Sequence, residues 1–375
     1  MKKLLFYTYW KFDDADTNGI TKKILSQKEA FERHGYRVDL AYLLNGNYYI
    51  EKNGKRILIQ KKPPFWTKLQ AENKLKKIAK QEKYDYAYFR YNCCDICFIS
   101  LLKCLKENGA KSIIEIPTVE YEKELINSFL GKVLVFVDKI HRKSIKKYVS
   151  RIVVFQNYKH VFGIKTIKIP NGIDVQTLPP KKIIKKSDEI NILSLALYQP
   201  WHGLERILYG LADYYKNEVS PKIILHIVGD GVALPEYIRI IKNNKLEKYV
   251  KVYGLKRGEE LSQLFDKCDL AVEVLGGHKK GLTTSSSIKS REYISRGIPF
   301  ISEVKVDIIP DNWEYLIKVP YDDSPINMNM IVDYYKDYLS TYEKRKKAVQ
   351  EMRDFAIANI DMNSTMKPVM LEFDT

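Results

Sequence analysis

In GLTTSSSIKSREYISRGIPF (residues 281–300), Ser285, Ser286 and Ser287 stand where a helix begins, Gly297 where it closes in a left-handed cap, and Pro299 where it cannot continue. The spacing predicts a short helix over 288–296. On one side DLAVEVL (269–275) reads as a buried strand, and on the other IPFISE (298–303) reads as the next. Strand, loop, helix and strand in that order form one turn of a doubly wound α/β sheet. The first helical turn offers unpaired N–H groups, and the three hydroxyls add donors, which suits a phosphate at the carboxyl edge of the sheet. Lys279, Lys280 and Lys289 flank the serines and supply charge to neutralise a diphosphate without a metal. Glu292, one turn after Ile288, is placed to accept both hydroxyls of a ribose. The competing reading is an ordinary capped surface helix.

The same alternation extends outward in both directions. INILSLAL (190–197), a helix over 204–215, KIILHIVG (222–229), a helix over 234–244, VKVYG (250–254) and a helix over 259–267 precede the opening stretch. Further upstream, KLLFYTYW (3–10), a helical pattern over 20–34 closed by Gly35 and YRVDLAYL (36–43) make a β-α-β opening. RILIQ (56–60), a charged helix over 67–82, YDYAYFRY (84–91), a helix over 95–108 and KSIIEIP (111–117) continue it, which predicts a mainly parallel sheet. VDKIHRKSIKKYV (137–149) reads as one basic helix with Val137, Ile140, Ser144, Ile145 and Tyr148 on one face, suited to an anionic membrane surface. The lysine-rich PPKKIIKKSDE (179–189) reads as a hinge. Two doubly wound Rossmann-like domains facing a cleft are therefore expected, over 1–178 and 179–355, with the tail from about 356 to 375 packing back on the first.

Three further loops follow strands and open helices. DTNGITKKI places Asn18 and Gly19 where backbone amides approach a ligand; YQPWHGLERIL does the same with His202, Gly203 and Arg206; HIVGDG ends a strand at Gly229, Asp230 and Gly231. At 375 residues the chain has room for two cores, and its formal net charge of +17 predicts an anionic partner. Scattered lysines without a nucleic-acid-binding motif argue against nucleic acid. Cys93, Cys94 and Cys97 lack the further ligands of a zinc site and read as buried thiols. No signal peptide is read at the start, so a reducing cytoplasm is expected. FLGKVLVFV (129–137) is too short to cross a bilayer, which takes about 20 residues.

Taken in order, the Asn18-Gly19 loop, IPNGIDV, WHGLERIL, IVGDG, VKVYGL, LFDKCDLAV and KSREYISRGIPF resemble the retaining GT-B glycosyltransferases of family 4 type, the bacterial surface-polysaccharide kind. The resemblance implies a donor nucleotide sugar held by the C-terminal domain, a glycan or lipid-linked acceptor in the N-terminal one, and neither metal nor other cofactor. It implies Glu292 as the ribose carboxylate, Arg206 with Lys279 or Lys280 as the diphosphate clamp, Gly19 as a backbone approach and Leu255 beside the base. Arg90 and Asn18 on the acceptor side, with Glu115 and Glu120 as acids or bases, complete the expected set. The family's E-x7-E pair is incomplete, because Thr284 stands eight residues before Glu292; His278, Lys279 or the loop backbone is expected to take over the contact with the donor sugar. Charge on the leaving diphosphate would be stabilised while the acceptor attacks the same face of the sugar. A GT-B sugar-nucleotide epimerase and a catalytically silent GT-B subunit are the alternatives. An enzyme working in the cytoplasm at the inner membrane face is the expected setting.

Overall fold

Strand β1 (Lys2–Lys11) sends successive side chains to opposite faces of its sheet: Leu4 and Phe6 enter one apolar cluster, Leu5 and Tyr7 another. A strand covered on both faces carries a continuous apolar run, which is why KLLFYTYW lacks polar alternation. The computed structural model describes residues 1–12, 19–61, 67–184, 189–217 and 220–375. The chain divides into two units, Met1–Gly172 with Met362–Thr375, and Ile173–Asp361.

In the first unit β1 is followed by α1 (Gly19–Arg33), β2 (Tyr36–Leu44), β3 (Asn47–Lys52), β4 (Lys55–Gln60), α2 (Thr67–Glu82), β5 (Tyr86–Arg90), α3 (Ile96–Glu107) and β6 (Lys111–Glu115). Then come α4 (Tyr121–Leu125), α5 (Phe129–His141), β7 (Arg151–Val154), β8 (His160–Val161) and β9 (Ile164–Lys168). The sheet order is β4-β3-β2-β1-β5-β6-β7-β9-β8, parallel from β2 through β9. RILIQ does not continue the parallel series: β2, β3 and β4 form an antiparallel meander. Its turns are Asn45-Gly46 and Asn53-Gly54, both residues of each at positive φ, the conformation that matches strand twist in a tight hairpin. The predicted basic helix is also divided. α5 stops at His141 and a 3-10 turn covers Arg142–Lys147; Ile145 is buried and Ile140 exposed, five residues apart and so on different faces, and they do not share an outer face.

The second unit contains β10 (Glu189–Leu197), α6 (Glu205–Tyr214), β11 (Lys222–Asp230), α7 (Leu234–Asn243), β12 (Val250–Val252), α8 (Gly258–Lys267) and β13 (Leu270–Val272). It continues through β14 (Thr284–Ser285), α9 (Ile288–Arg296), β15 (Phe300–Ser302), β16 (Lys305–Val306), β17 (Leu316–Lys318), α10 (Met328–Tyr338) and α11 (Tyr342–Asn359). Its parallel sheet runs β12-β11-β10-β13-β15-β17, the dinucleotide-fold order, whose switch point lies between β10 and β13. Residues 173–178 are tied to this unit: Arg353 donates to the carbonyls of Val175 and Leu178, and the amide of Val175 donates to Asp361. Lys181 continues the attachment, its amide donating to the Arg296 carbonyl and its Nζ to that of Cys268. The final helix α12 (Met362–Asp374) belongs to the first unit, where Met366, Val369 and Phe373 join Leu4, Phe6 and Phe31.

All five cysteines are free thiols, and Cys93, Cys94, Cys104 and Cys268 are buried.

Candidate functional site

The carboxyl ends of β10 and β13 diverge at the switch point, and the loops that leave them pack backbone against backbone. The Leu275 amide donates to the His202 carbonyl at 3.0 Å. Gly203, at φ 69°, tucks so closely that a Cβ there would lie 2.3 Å from the Leu275 carbonyl carbon. The glycines of HIVGDG serve the same packing: a Cβ on Gly229 would meet the Ala196 oxygen at 1.9 Å, and one on Gly231 the Tyr198 oxygen at 2.3 Å. These glycines are thus required by the protein's own backbone, whether or not a ligand approaches.

Above this floor lies a cavity of about 500 Å³ lined by the end of β10, Gln199, Trp201, His202, Gly229, Leu255, Lys256 and Lys289. Trp201 and His202 are carried on a 3-10 turn, Pro200–His202, and the Gln199 amide donates to His202 Nδ1 at 3.1 Å. That bond fixes the tautomer, because Nδ1 must accept and the proton resides on Nε2. Burial, reinforced by the charges of Lys289 and Lys280, pulls the His202 pKa down to about 4, so the ring is a neutral N–H donor at pH 7. Lys280 lies over the Trp201 ring, its Nζ 3.0 Å from the centroid. Lys289 reaches the cavity from the first turn of α9, its Nζ donating to the Glu273 carbonyl at 2.8 Å and standing 3.7 Å from the Glu273 carboxylate. Glu273 is buried at the end of β13; one carboxylate oxygen accepts from Ser285 at 2.8 Å, and the other has no hydrogen-bond partner among the described residues. A neutral imidazole, an ammonium group, an indole and apolar strand ends around one cavity can hold a phosphate-bearing aromatic base.

The α9 boundaries are those read from the sequence, with Ser287 capping the amide of Ser290 and Gly297 in the left-handed conformation at φ 75°. The serines, however, are occupied within the protein: Ser285 turns inward to Glu273, and Ser287 is the cap. Ser286 lies 3.4 Å from the buried Arg291 guanidinium. Glu292 accepts from Arg296 Nε at 2.9 Å and sits three residues after Lys289, on the adjoining part of the helix face. Arg206 requires a correction. Its side chain is 1% exposed, and the guanidinium donates to the carbonyls of Ser324, Leu275 and Pro320 and to the covered carboxylate of Glu303. It is a structural tie with its donors committed and no route to a diphosphate. His278 bridges Glu303 and Asp323, and Lys279 pairs with Glu205 and Asp323, so neither lines the cavity. Asp230 accepts from the Gly231 amide in its own turn. Glu273, Trp201 and Gln199 were missed by the sequence reading, although a lone acid inside the apolar run DLAVEVL is an unusual signal.

No family model matches the chain, and no curated protein is similar to it in sequence. Solved structures are similar over its whole length. A glycosyltransferase from Rickettsia africae has a TM-score of 0.63 at 15% identity, covering 100% of this chain and 98% of that one. Sucrose-phosphate synthase from Thermosynechococcus elongatus has a TM-score of 0.61 at 14% identity, covering 100% and 99%. HepE of Anabaena, solved in complex with UDP, has a TM-score of 0.61 at 14% identity, covering 100% of both chains. The fold is GT-B.

In the first Rossmann-like unit of this GT-B chain the expected acid–base residues separate. Glu115 is fully buried and receives Arg90, the Tyr88 hydroxyl and Gln27. Burial alone would raise its pKa, but the Lys23 and Arg90 charges and these hydrogen bonds outweigh it and hold the carboxyl below its ordinary value. Enclosed in the interior and held by three donors, the Glu115 carboxylate is out of a substrate's reach, so the expectation for Glu115, and for Arg90 as an acceptor contact, gives way to a core ion pair. Glu120 is exposed immediately before α4. At Gly19, the first residue of α1, a Cβ would meet no atom within 4 Å. Asn18 lies outside the described residues.

Proposed function

We propose that the chain is a glycosyltransferase that holds the diphosphate of a nucleotide sugar in the cavity between β10 and α9. The observation that carries this reading is that His202, a neutral imidazole, and Lys289 line one cavity at the switch point of a dinucleotide-type sheet. Structural neighbours solved with UDP, with UDP-glucose or with ADP and acarbose support a nucleoside diphosphate as the ligand. In this reading Lys289 and Lys280 carry the charge that a metal would otherwise supply, Leu255 and Trp201 flank the base and ribose, and Glu292 binds the ribose hydroxyls once Arg296 yields.

The proposed reaction is of retaining, family 4 type. The bond from the anomeric carbon to the diphosphate oxygen breaks, and the acceptor oxygen bonds to the same face. The acceptor's proton passes to the departing phosphate, with His202 and Lys289 stabilising the charge that develops there. The first unit receives a glycan or lipid-linked acceptor in surface-polysaccharide assembly at the inner face of the membrane, with Glu120 as its exposed carboxylate. No helix among the described residues is long and apolar enough to cross a membrane.

A thermal-shift panel of UDP, GDP, ADP and dTDP, with and without EDTA, tests the donor site. Incubation with the matching sugars then separates the outcomes. Slow donor hydrolysis supports transfer, interconversion of sugars supports an epimerase, and failure to bind any nucleotide supports a silent subunit.

A further inference from the structure

An amphipathic helix ordinarily turns its apolar stripe toward the core. α5 is built the other way. Its buried residues are Gly131, Val135 and Asp138. The Asp138 carboxylate accepts from the hydroxyls of Tyr91 and Tyr121 and, at 2.6 Å, from the Cys94 amide, while Arg142 pairs with it at 3.2 Å. Gly131 presses on the preceding turn so tightly that a Cβ would lie 1.8 Å from the Leu125 oxygen. The helix is therefore anchored by polar contacts. Outward it presents Phe129 at 85% exposure, Phe136 at 65% and Ile140 at 59%, with Leu130, Val133 and Leu134 also exposed. Positions 129, 133, 136 and 140 recur at helical spacing and form one row. A contiguous exposed apolar face of this kind on a firmly held helix marks an interaction surface.

Charge selects the partner. Lys132 and Lys139, seven residues apart, border the apolar row on one side, Lys139 sharing Glu122 of α4 with Arg142, and Lys143, Lys146 and Lys147 follow, all exposed. The one acidic residue of α5, Asp138, is buried, so the helix itself offers no exposed carboxylate to the partner. A second copy of the chain would bring like-charged lysine fringes together, whereas an anionic lipid surface meets the lysines with headgroup phosphates and the phenylalanines with acyl chains. We propose that the outer face of α5 docks on an anionic bilayer. The position differs from the one read in the sequence over 137–149, because Ile145 and Val149 belong to the core. The proposal deepens the reading of a membrane-linked acceptor but does not depend on nucleotide binding.

The test is flotation of the full chain with phosphatidylcholine vesicles, with and without phosphatidylglycerol. The wild-type chain is expected to rise with the anionic vesicles and to be released by high salt. Phe129→Ser/Phe136→Ser, at two exposed positions, should lower the bound fraction by about tenfold or more, with the unfolding temperature and nucleoside diphosphate binding unchanged. Lys132→Gln/Lys139→Gln/Lys143→Gln should weaken binding to the anionic vesicles alone. A wild-type chain that ignores anionic vesicles, or a phenylalanine variant that binds them equally well, overturns the proposal. A variant that instead converts a dimer to a monomer by light scattering, without any vesicle effect, assigns the face to a second copy. If vesicles bind and no nucleotide does, the donor reading fails and this one stands; the reverse pattern separates them the other way.

Discussion

Replacing Arg206 by methionine distinguishes a structural tie from a phosphate clamp. The substitution keeps the aliphatic stem and removes the guanidinium that satisfies Glu303 at 2.6 Å and the carbonyls of Leu275, Ser324 and Pro320 at 2.7 to 2.9 Å. Glu303 would keep only His278, and a buried ion pair broken on one side costs about 3 to 5 kcal/mol. For a domain of this size each kcal/mol moves the unfolding midpoint by about 2 to 4 °C, so a fall of roughly 6 to 20 °C is expected. Arg206→Met/Glu303→Leu should recover part of that loss, because the carboxylate deprived of its guanidinium is removed too while His278 keeps Asp323, and the shortfall from additivity measures the pair. The assay is differential scanning fluorimetry, followed by calorimetric titration of a nucleoside diphosphate at a temperature where every variant is folded. Affinity should be nearly unchanged for the single variant. An unaltered melting temperature together with abolished nucleotide affinity would refute the structural assignment and restore Arg206 to the ligand.

Lys289→Ala should weaken nucleoside diphosphate binding by about 1.5 to 3 kcal/mol, the range for a hydrogen bond to a charged group, and titration calorimetry that shows equal affinity removes Lys289 from the site. Glu292→Ala should cost about 1 to 3 kcal/mol of nucleotide affinity, and should cost little against inorganic pyrophosphate, which has no ribose; equal losses for both ligands count against a ribose contact. His226, buried between Asn191 and the Tyr253 hydroxyl, has its pKa pulled down by burial to about 4, from about 6.5 when unfolded. Between those values the unfolded chain binds the proton and the folded one does not, so stability is lost as pH falls from about 6.5 toward 4, by up to about 3 kcal/mol from this residue. Urea midpoints across that range should decline less steeply for His226→Gln, and parallel slopes would contradict the assignment.

What could be read in advance follows from how local each signal is. Ser287, Gly297 and Pro299 bound α9 through contacts within a few residues, and the structure keeps those limits. The hairpins at Asn45-Gly46 and Asn53-Gly54 were equally local and were passed over, because RILIQ fits a parallel series as well as an antiparallel edge. The fate of Arg206 was not local. A first-turn arginine beside a glycine loop has the pattern of a phosphate binder, and only residues about a hundred positions away, Glu303 and Ser324 among them, bury it. The inward turn of Ser285 is likewise not local, its partner Glu273 lying across the loop just after β13. The basic segment divides at His141 into a helix and a 3-10 turn, and nothing in its apolar spacing announces that break, since Asp138 and Ile145, seven residues apart, would share the inner face of one regular helix.

A crystal structure of the chain with a nucleoside diphosphate decides whether the cavity at the switch point is the donor site. Phosphate oxygens are expected within hydrogen-bonding distance of Lys289 Nζ and His202 Nε2, with the base beside Leu255. A nucleotide seated elsewhere, with the cavity between β10 and α9 filled only by water, would contradict that placement.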